Sequence, residues 1–301
     1  MPERLFVFMQ FEFPWVLGPS DGRYLLREEL EGEPERVIVL ETLGAALAPA
    51  EMRELRGPAG RLARRMTGAG PGRPASAEPA AVKTTRVTVI DPISLSAEPQ
   101  ARAWLEGLDR EHDVQAAVAI VNRVVHAHRI ASADPYVHEV SSTQALVVRA
   151  GWGEGEQVAS GQWLHARELS LRPRRAASRK RDRSSALRPQ ERLAALLGGR
   201  SDSLLCEELA LRARLDVEQG RFRHAAVGLD RALTVAVREL GAEGRQELAL
   251  RIAELDQLRE GVAMQGEQVL EGAGQQIDEE LLEHALGRLE AALRARTAAG
   301  V

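Results

Sequence analysis

The chain has a single cysteine, Cys206, among 301 residues. A lone thiol excludes an internal disulfide and leaves no zinc-ligand set. Lysine is almost as scarce, with Lys83 and Lys180 standing against 38 arginines. No lysine is placed for a phosphate-binding P-loop. The arginine bias, with abundant Ala and Gly, fits GC-rich bacterial coding. No run approaches the ~18 apolar residues that a membrane-spanning helix needs. The opening stretch MPERLFVFMQFEFPWVLG is apolar, but Gln10 and Glu12 interrupt it and no small-residue cleavage site follows. No targeting segment is therefore predicted, and the expected location is the cytoplasm.

What is present suffices for folded structure. Apolar residues make up 44% of the chain, an ordinary globular fraction, and the length suits about two domains. The conspicuous stretch is Leu171 to Pro189, LRPRRAASRKRDRSSALRP. It carries Arg172, Arg174, Arg175, Arg179, Lys180, Arg181, Arg183 and Arg188 against one acid, Asp182. That is a formal +7 in a chain whose total is −4, and it leaves −5 on residues 1–171 and −6 on 189–301. The stretch has no apolar period and is bracketed by prolines, so residues 171–188 read as a solvated linker. It predicts a boundary between an α+β domain, 1–170, and an all-α domain, 189–297.

In the first domain, residues 4–17 alternate. Leu5, Val7, Met9, Phe11, Phe13, Trp15 and Leu17 share one face; Phe6, Phe8, Gln10, Glu12 and Pro14 share the other. A period of two predicts a strand. The turn Gly18-Pro19-Ser20-Asp21-Gly22 leads to strands predicted over 23–30 and 36–43, together an antiparallel meander. A weak helical patch covers 47–66, and a Gly/Pro/Ala-rich loop covers 68–82. Residues 83–90 predict another strand. Ser96 is the expected cap of a helix reaching Asp109, and a second helix is expected from Glu111 to Ile130 on the stripe Val114, Ala117, Val118, Val121, Val125 and His128. Short strands are expected at Val137–Val140 and Gln144–Ala150, with Gly151-Trp152-Gly153-Glu154-Gly155 as a turn. Residues 156–168 fit strand or helix.

Beyond the linker only helical periods remain. They begin at Pro189, stop at Gly198-Gly199, and continue over Ser203–Gln219, Arg221–Leu240, Arg245–Met264 and Gln275–Arg296. Within RLDVEQGRFRHAAVGLDRAL, Gly220 precedes an aromatic, Phe222, and small residues Ala225 and Ala232 flank the large Leu229. Glycine permits a tight turn, and alanines let two helix backbones approach. The pattern resembles a tetratricopeptide (TPR) hairpin over roughly Cys206 to Leu240. No second copy follows at the 34-residue spacing of such arrays, and the motif's terminal proline is absent. The resemblance implies a helical hairpin suited to protein–protein contacts.

Other patterns point to chemistry only loosely. Gly18-Pro19-Ser20-Asp21-Gly22 matches the G-x-S-x-G nucleophile elbow, but no helix start follows and a turn is the simpler reading. Gly151, Gly153 and Gly155 follow an apolar strand, yet Glu154 and Glu156 would repel a phosphate. His126 and His128 lie about 200° apart on a helix and cannot share a metal. His128 reads as a partly buried core residue, whereas Asp134, His138 and Glu139 form a candidate small-molecule or acid–base cluster. Trp104, Trp152 and Trp163 read as core or edge-covering residues, with no interleaved cations to make a base-stacking surface.

The expected protein is a non-catalytic interaction or scaffold protein, with no cofactor and no metal, whose helical domain meets a protein partner. The alternative is an accessory protein that binds nucleic acid or an anionic surface through Arg172, Arg174, Arg175, Arg179, Lys180, Arg181 and Arg183. Modification at Ser178, Ser184 or Ser185 would weaken such binding.

Overall fold

A computed structural model describes residues 4–27, 32–44, 82–170, 189–272 and 276–299. The 47–66 patch, most of the 68–82 loop and all of 171–188 lie outside them. The chain divides into two compact units, Met1–Arg172 and Pro173–Val301. The first is α+β, built on an antiparallel six-stranded sheet; the second is helical.

The strands are β1 (Leu5–Phe13), β2 (Gly22–Leu26), β3 (Arg36–Leu43), β4 (Thr84–Ile90), β5 (Val147–Glu154) and β6 (His165–Glu168). Their order is β2-β3-β4-β1-β5-β6, which differs from the simple meander expected. Strand β1 leaves its sequence neighbour and lies between β4 and β5, Phe11 opposite both Val87 and Val148. The reason lies in its composition. Both of its faces carry groups that must be covered, so it takes a central place, while the short β2 goes to an edge with three of its five residues exposed.

Helices α1 (Glu98–Gly107) and α2 (Arg110–Ser132) belong to the same unit. Leu5, Val7, Met9, Phe11 and Phe13 of β1 form one core with Ala101 and Leu105 of α1 and with Val114, Ala117, Val118, Val121 and Val125 of α2. Helix α1 starts one residue later than its expected cap: Ala97 holds that position, and the Ser96 hydroxyl meets Gln100 Oε1 instead. Helix α2 is capped by Asp109, whose carboxylate accepts from the Glu111 and His112 amides, and it ends at left-handed Ala133. Buried Asn122 reaches from α2 to Val140, donating to its carbonyl at 2.9 Å and accepting from its amide at 2.8 Å. These bonds satisfy the backbone of Val140 without a ladder partner, and Val137–Val140 is not the strand expected there.

The expected turn at Gly151–Gly155 is instead the end of β5, and the chain turns only at Gly155, φ +63°. The glycines serve close approach rather than bending. A Cβ on Gly151 would overlap the His165 carbonyl oxygen and lie 2.8 Å from Ala166 Cα. One on Gly153 would lie 2.7 Å from Val158 and 3.0 Å from Trp163 Cα. Bare backbone here lets residues 155–164 close over the second face of the sheet, where Val158 and Trp163 join Phe8, Val37 and Ile90 in a smaller core.

The helical unit contains α3 (Pro189–Leu197), α4 (Leu205–Glu218), α5 (Phe222–Ala242), α6 (Ala249–Leu270) and α7 (Glu279–Ala299). The buried stripe of α5 is Ala225, Ala226, Leu229, Ala232, Leu233, Ala236 and Leu240. It shares a core with Cys206, Ala210 and Ala213 of α4, Leu255 and Val262 of α6, and Leu282, Leu286 and Leu289 of α7. The small side chains of Ala225, Ala226, Ala232 and Ala236 shorten the distance between helix axes.

Two glycine substitutions separate these packing arguments. Gly151→Ala is expected to destabilise the protein by about 1–3 kcal/mol or more through backbone overlap. Gly228→Ala, inside α5 where a Cβ meets open space, is expected to stabilise it by up to about 1 kcal/mol. Urea unfolding of both variants measures the contrast.

Candidate functional site

The densest polar constellation in the first unit lies on the sheet face covered by residues 155–164. Register places Gln10 beside Thr88 and Arg149, and Glu12 beside Arg86, which in turn lies beside Glu41. Gln10 is fully buried and donates to Thr88 Oγ1 at 2.9 Å and to the Ala159 carbonyl at 3.2 Å. Arg149 donates to Gln10 Oε1 at 3.3 Å and to Glu12 Oε1 at 2.8 Å, and Arg86 reaches that same oxygen at 3.1 Å. The Ser160 hydroxyl donates to Glu41 at 2.7 Å, and Arg23 pairs with Glu156 at 2.6 Å. Trp163 stacks on Phe8 with ring centroids 5.8 Å apart, and the Arg149 guanidinium lies over the Trp163 ring, 5.9 Å from its centroid. The arrangement fastens the 155–164 segment to the sheet by polar contacts at one end and aromatic contacts at the other.

Burial works to raise the Glu12 carboxyl, but hydrogen bonds and charge from Arg149 and Arg86 outweigh it and hold the group below the ordinary glutamate range. An ionised carboxylate between two guanidiniums is a structural clamp and a poor proton acceptor at neutral pH.

The expected cluster of Asp134, His138 and Glu139 is not assembled as a trio. Asp134 accepts from the Tyr136 amide at 2.9 Å in a local turn, and His138 is exposed. Glu139, its side chain 2% exposed, lies 3.2 Å from His126 Nδ1. The sequence spacing from 126 to 139 hid that partner, because only the return of the chain along α2 brings them together. His128 is partly buried and packs against Gly18. In the Gly18–Gly22 turn, Asp21 accepts from the Thr42 amide and hydroxyl at 2.9 and 2.7 Å, and the Ser20 carbonyl accepts from Tyr24. Both contacts fix a turn. Trp152 is buried and stacks on His165 at 4.6 Å, and Trp104 lies partly buried against the helix-side core. Among the described residues, no group of three or more His, Cys, Asp or Glu side chains is arranged to hold a metal ion.

In the helical unit, Gly220 adopts φ +67° and turns the chain from α4 into α5. Phe222 opens α5 and packs on the core, with Ala225, Leu229 and Ala232 fully buried behind it. The N-terminus of α4 is closed from within the unit. Glu239 of α5 accepts from the Leu205 amide at 3.2 Å and the Cys206 amide at 3.0 Å, which places a carboxylate where helix dipole and free amides favour one. Burial, then the hydrogen bond and charge of Glu239, push the Cys206 thiol far above its ordinary range, which disfavours the thiolate. Glu207 accepts from Arg192 at 2.7 Å and from the Leu204 amide at 3.0 Å, and Arg296 donates to Glu243 at 2.5 Å. The anion-binding candidates Arg172, Arg174, Arg175, Arg179, Lys180, Arg181 and Arg183 lie outside the described residues.

Comparison with protein-family models, with curated proteins and with solved structures finds no match.

A carboxyl held low in the folded state contributes stability that is fully present above the ordinary glutamate value of about 4.3 and is lost as pH falls below it. Glu12→Gln deprives two partly buried guanidiniums of the charged acceptor they share and is expected to lower stability by about 1–3 kcal/mol at neutral pH. Unfolding of both proteins across pH should show the gap narrowing in acid below about pH 4. A gap indifferent to pH contradicts the clamp.

Proposed function

We propose that the chain is a non-catalytic protein–protein interaction or scaffold protein whose helical unit supplies the binding surface. The observation that carries this reading is the unequal treatment of α4 and α5. Helix α5 encloses its whole apolar stripe between neighbours. Helix α4 buries Cys206, Ala210 and Ala213 but leaves Leu205 and Leu211 exposed, with Glu208 and Arg212 joined at 2.9 Å beside them. Apolar side chains flanked by charges along a rigid helix suit a complementary groove or helix on another protein. The TPR-like arrangement of Gly220, Phe222, Ala225, Leu229 and Ala232 supports the same reading. So does the sheet unit, whose carboxylates at Glu12 and Glu41 are engaged by Arg86, Arg149 and Ser160.

Affinity capture from a lysate of the source cells tests the proposal with three proteins: the full chain, a chain ending before Leu171, and the full chain carrying Leu211→Glu. Partners are expected with the full chain, absent with the shortened one, and reduced by Leu211→Glu. Because Leu211 is exposed, that variant keeps its fold. Recovery of the same partners by all three assigns the interaction elsewhere.

A further inference from the structure

The amides of residues 159–162 bond within the segment that covers the second face of the sheet, not to the strands beneath it. Ala159 donates to the Glu156 carbonyl at 3.0 Å, Ser160 and Gln162 to the Gln157 carbonyl at 3.1 Å each, and Gly161 to the Val158 carbonyl at 3.3 Å. A backbone bond to the sheet returns at Leu164, which donates to the Trp152 carbonyl at 3.1 Å. Side chains make the ties in between. Gln10 donates to the Ala159 carbonyl, Ser160 donates to Glu41, and Arg23 pairs with Glu156 through side chains that are 51% and 49% exposed. Val158 supplies the apolar contact, buried in one cluster with Phe8, Val37 and Ile90.

We infer that residues 156–162 are a hinged cover, which lifts as a unit from the folded sheet and admits solvent to a recess floored by Gln10 and Thr88. The device belongs to the sheet unit and does not depend on the binding role proposed for the helical unit. Lifting leaves the segment's internal bonds and the strand ladders intact. An ion pair as exposed as Arg23–Glu156 holds little. Gln10 and Thr88, bonded to each other at 2.9 Å, present polar groups that water can satisfy, so uncovering them costs less than uncovering an apolar layer. Val158 gives up its contacts, which keeps the closed state the favoured one. The ends of the segment suit a pivot. Gly155, where the chain leaves β5, takes φ +63°, a conformation that glycine adopts without steric cost. At the other end Trp163 is fixed to the sheet by its stacking on Phe8 and by the Arg149 guanidinium. Local opening of this kind draws on few apolar contacts, so its free energy lies below that of unfolding the strands.

The test uses the full chain carrying Val158→Cys, a small apolar replacement, treated with a thiol reagent whose attachment at 158 is located by mass spectrometry. The labelling rate gives an opening constant for the cover, and amide exchange of Phe8–Phe11 gives that of β1. The first is expected to exceed the second by about a hundredfold or more and to be nearly indifferent to low urea, since local opening exposes little surface. Adding Ser160→Ala removes the tie to Glu41 and is expected to raise the labelling rate about tenfold while leaving β1 unmoved. Ser160 is exposed, so that change leaves the packing in place. Exchange of the Gln10 side-chain amide reads the same opening in the unaltered chain, and its constant is expected to agree within about threefold. The inference is overturned if the thiol at 158 opens no more readily than β1, if Ser160→Ala leaves its rate unchanged, or if the Gln10 amide is protected as long as the β1 backbone.

Discussion

In β1, side chains at 5, 7, 9, 11 and 13 enter the core shared with α1 and α2, while Phe8, Gln10 and Glu12 enter the layer beneath residues 155–164. Because successive side chains alternate, slipping this strand by one residue would drive the Gln10 amide and the Glu12 carboxylate into the helix-side core. It would also strip Arg86 and Arg149 of their common acceptor. Apolar contacts on one side and polar contacts on the other therefore select the same register. The neighbours of β1 follow from it: Thr88 must lie where Gln10 can reach it, and Arg149 where it can reach Glu12. Glycine at 151 and 153 completes the arrangement by letting the chain fold back over a face that would otherwise leave these groups in water.

The helical unit is held together differently. Its core is alanine and leucine, with fully buried Ala225, Ala226, Ala232 and Ala236 on one helix. Small residues bury little area each, so close approach of backbones must supply much of the cohesion. Around that core the arginines that replace lysine throughout the sequence act as planar donors. Arg214 reaches Glu290 at 2.6 Å, Arg221 reaches Asp216 at 2.7 Å, and Arg296 joins Glu243. Such pairs orient helices more than they stabilise them. The carboxylate of Glu239 at the head of α4 belongs to the same logic, since it occupies the amides that an external anion would need.

Periodicity made the elements legible. Strand β3 and helix α3 have the bounds that alternation and the Pro and Gly punctuation imply, and the α7 stripe of Leu282, Leu286 and Leu289 is buried as its spacing requires. What periodicity cannot carry is the order of strands, because β1 and β2 read as neighbours until the double burial of β1 is counted. The glycines at 151 and 153 misled for a related reason. Glycine marks a turn or a close contact, and only the position of Val158 and Trp163 distinguishes them. The candidate site shows the same limit. Ser96 lies one residue from a cap and His138 one residue from a buried glutamate, yet the partners that matter are Ala97 and His126. The clamp of Glu12, Arg86 and Arg149 joins residues 74 and 137 positions apart, and no local pattern announces it.

Its place between β4 and β5 makes β1 the best protected strand of the sheet unit, with the 155–164 segment a cover fastened to it. Amide hydrogen exchange resolved along the native chain tests this directly. Amides of β1 from Phe8 to Phe11 are predicted to exchange last among the six strands, with those of the edge strands β2 and β6 well ahead of them. Exchange in β1 as fast as at either edge would contradict the central place given to that strand.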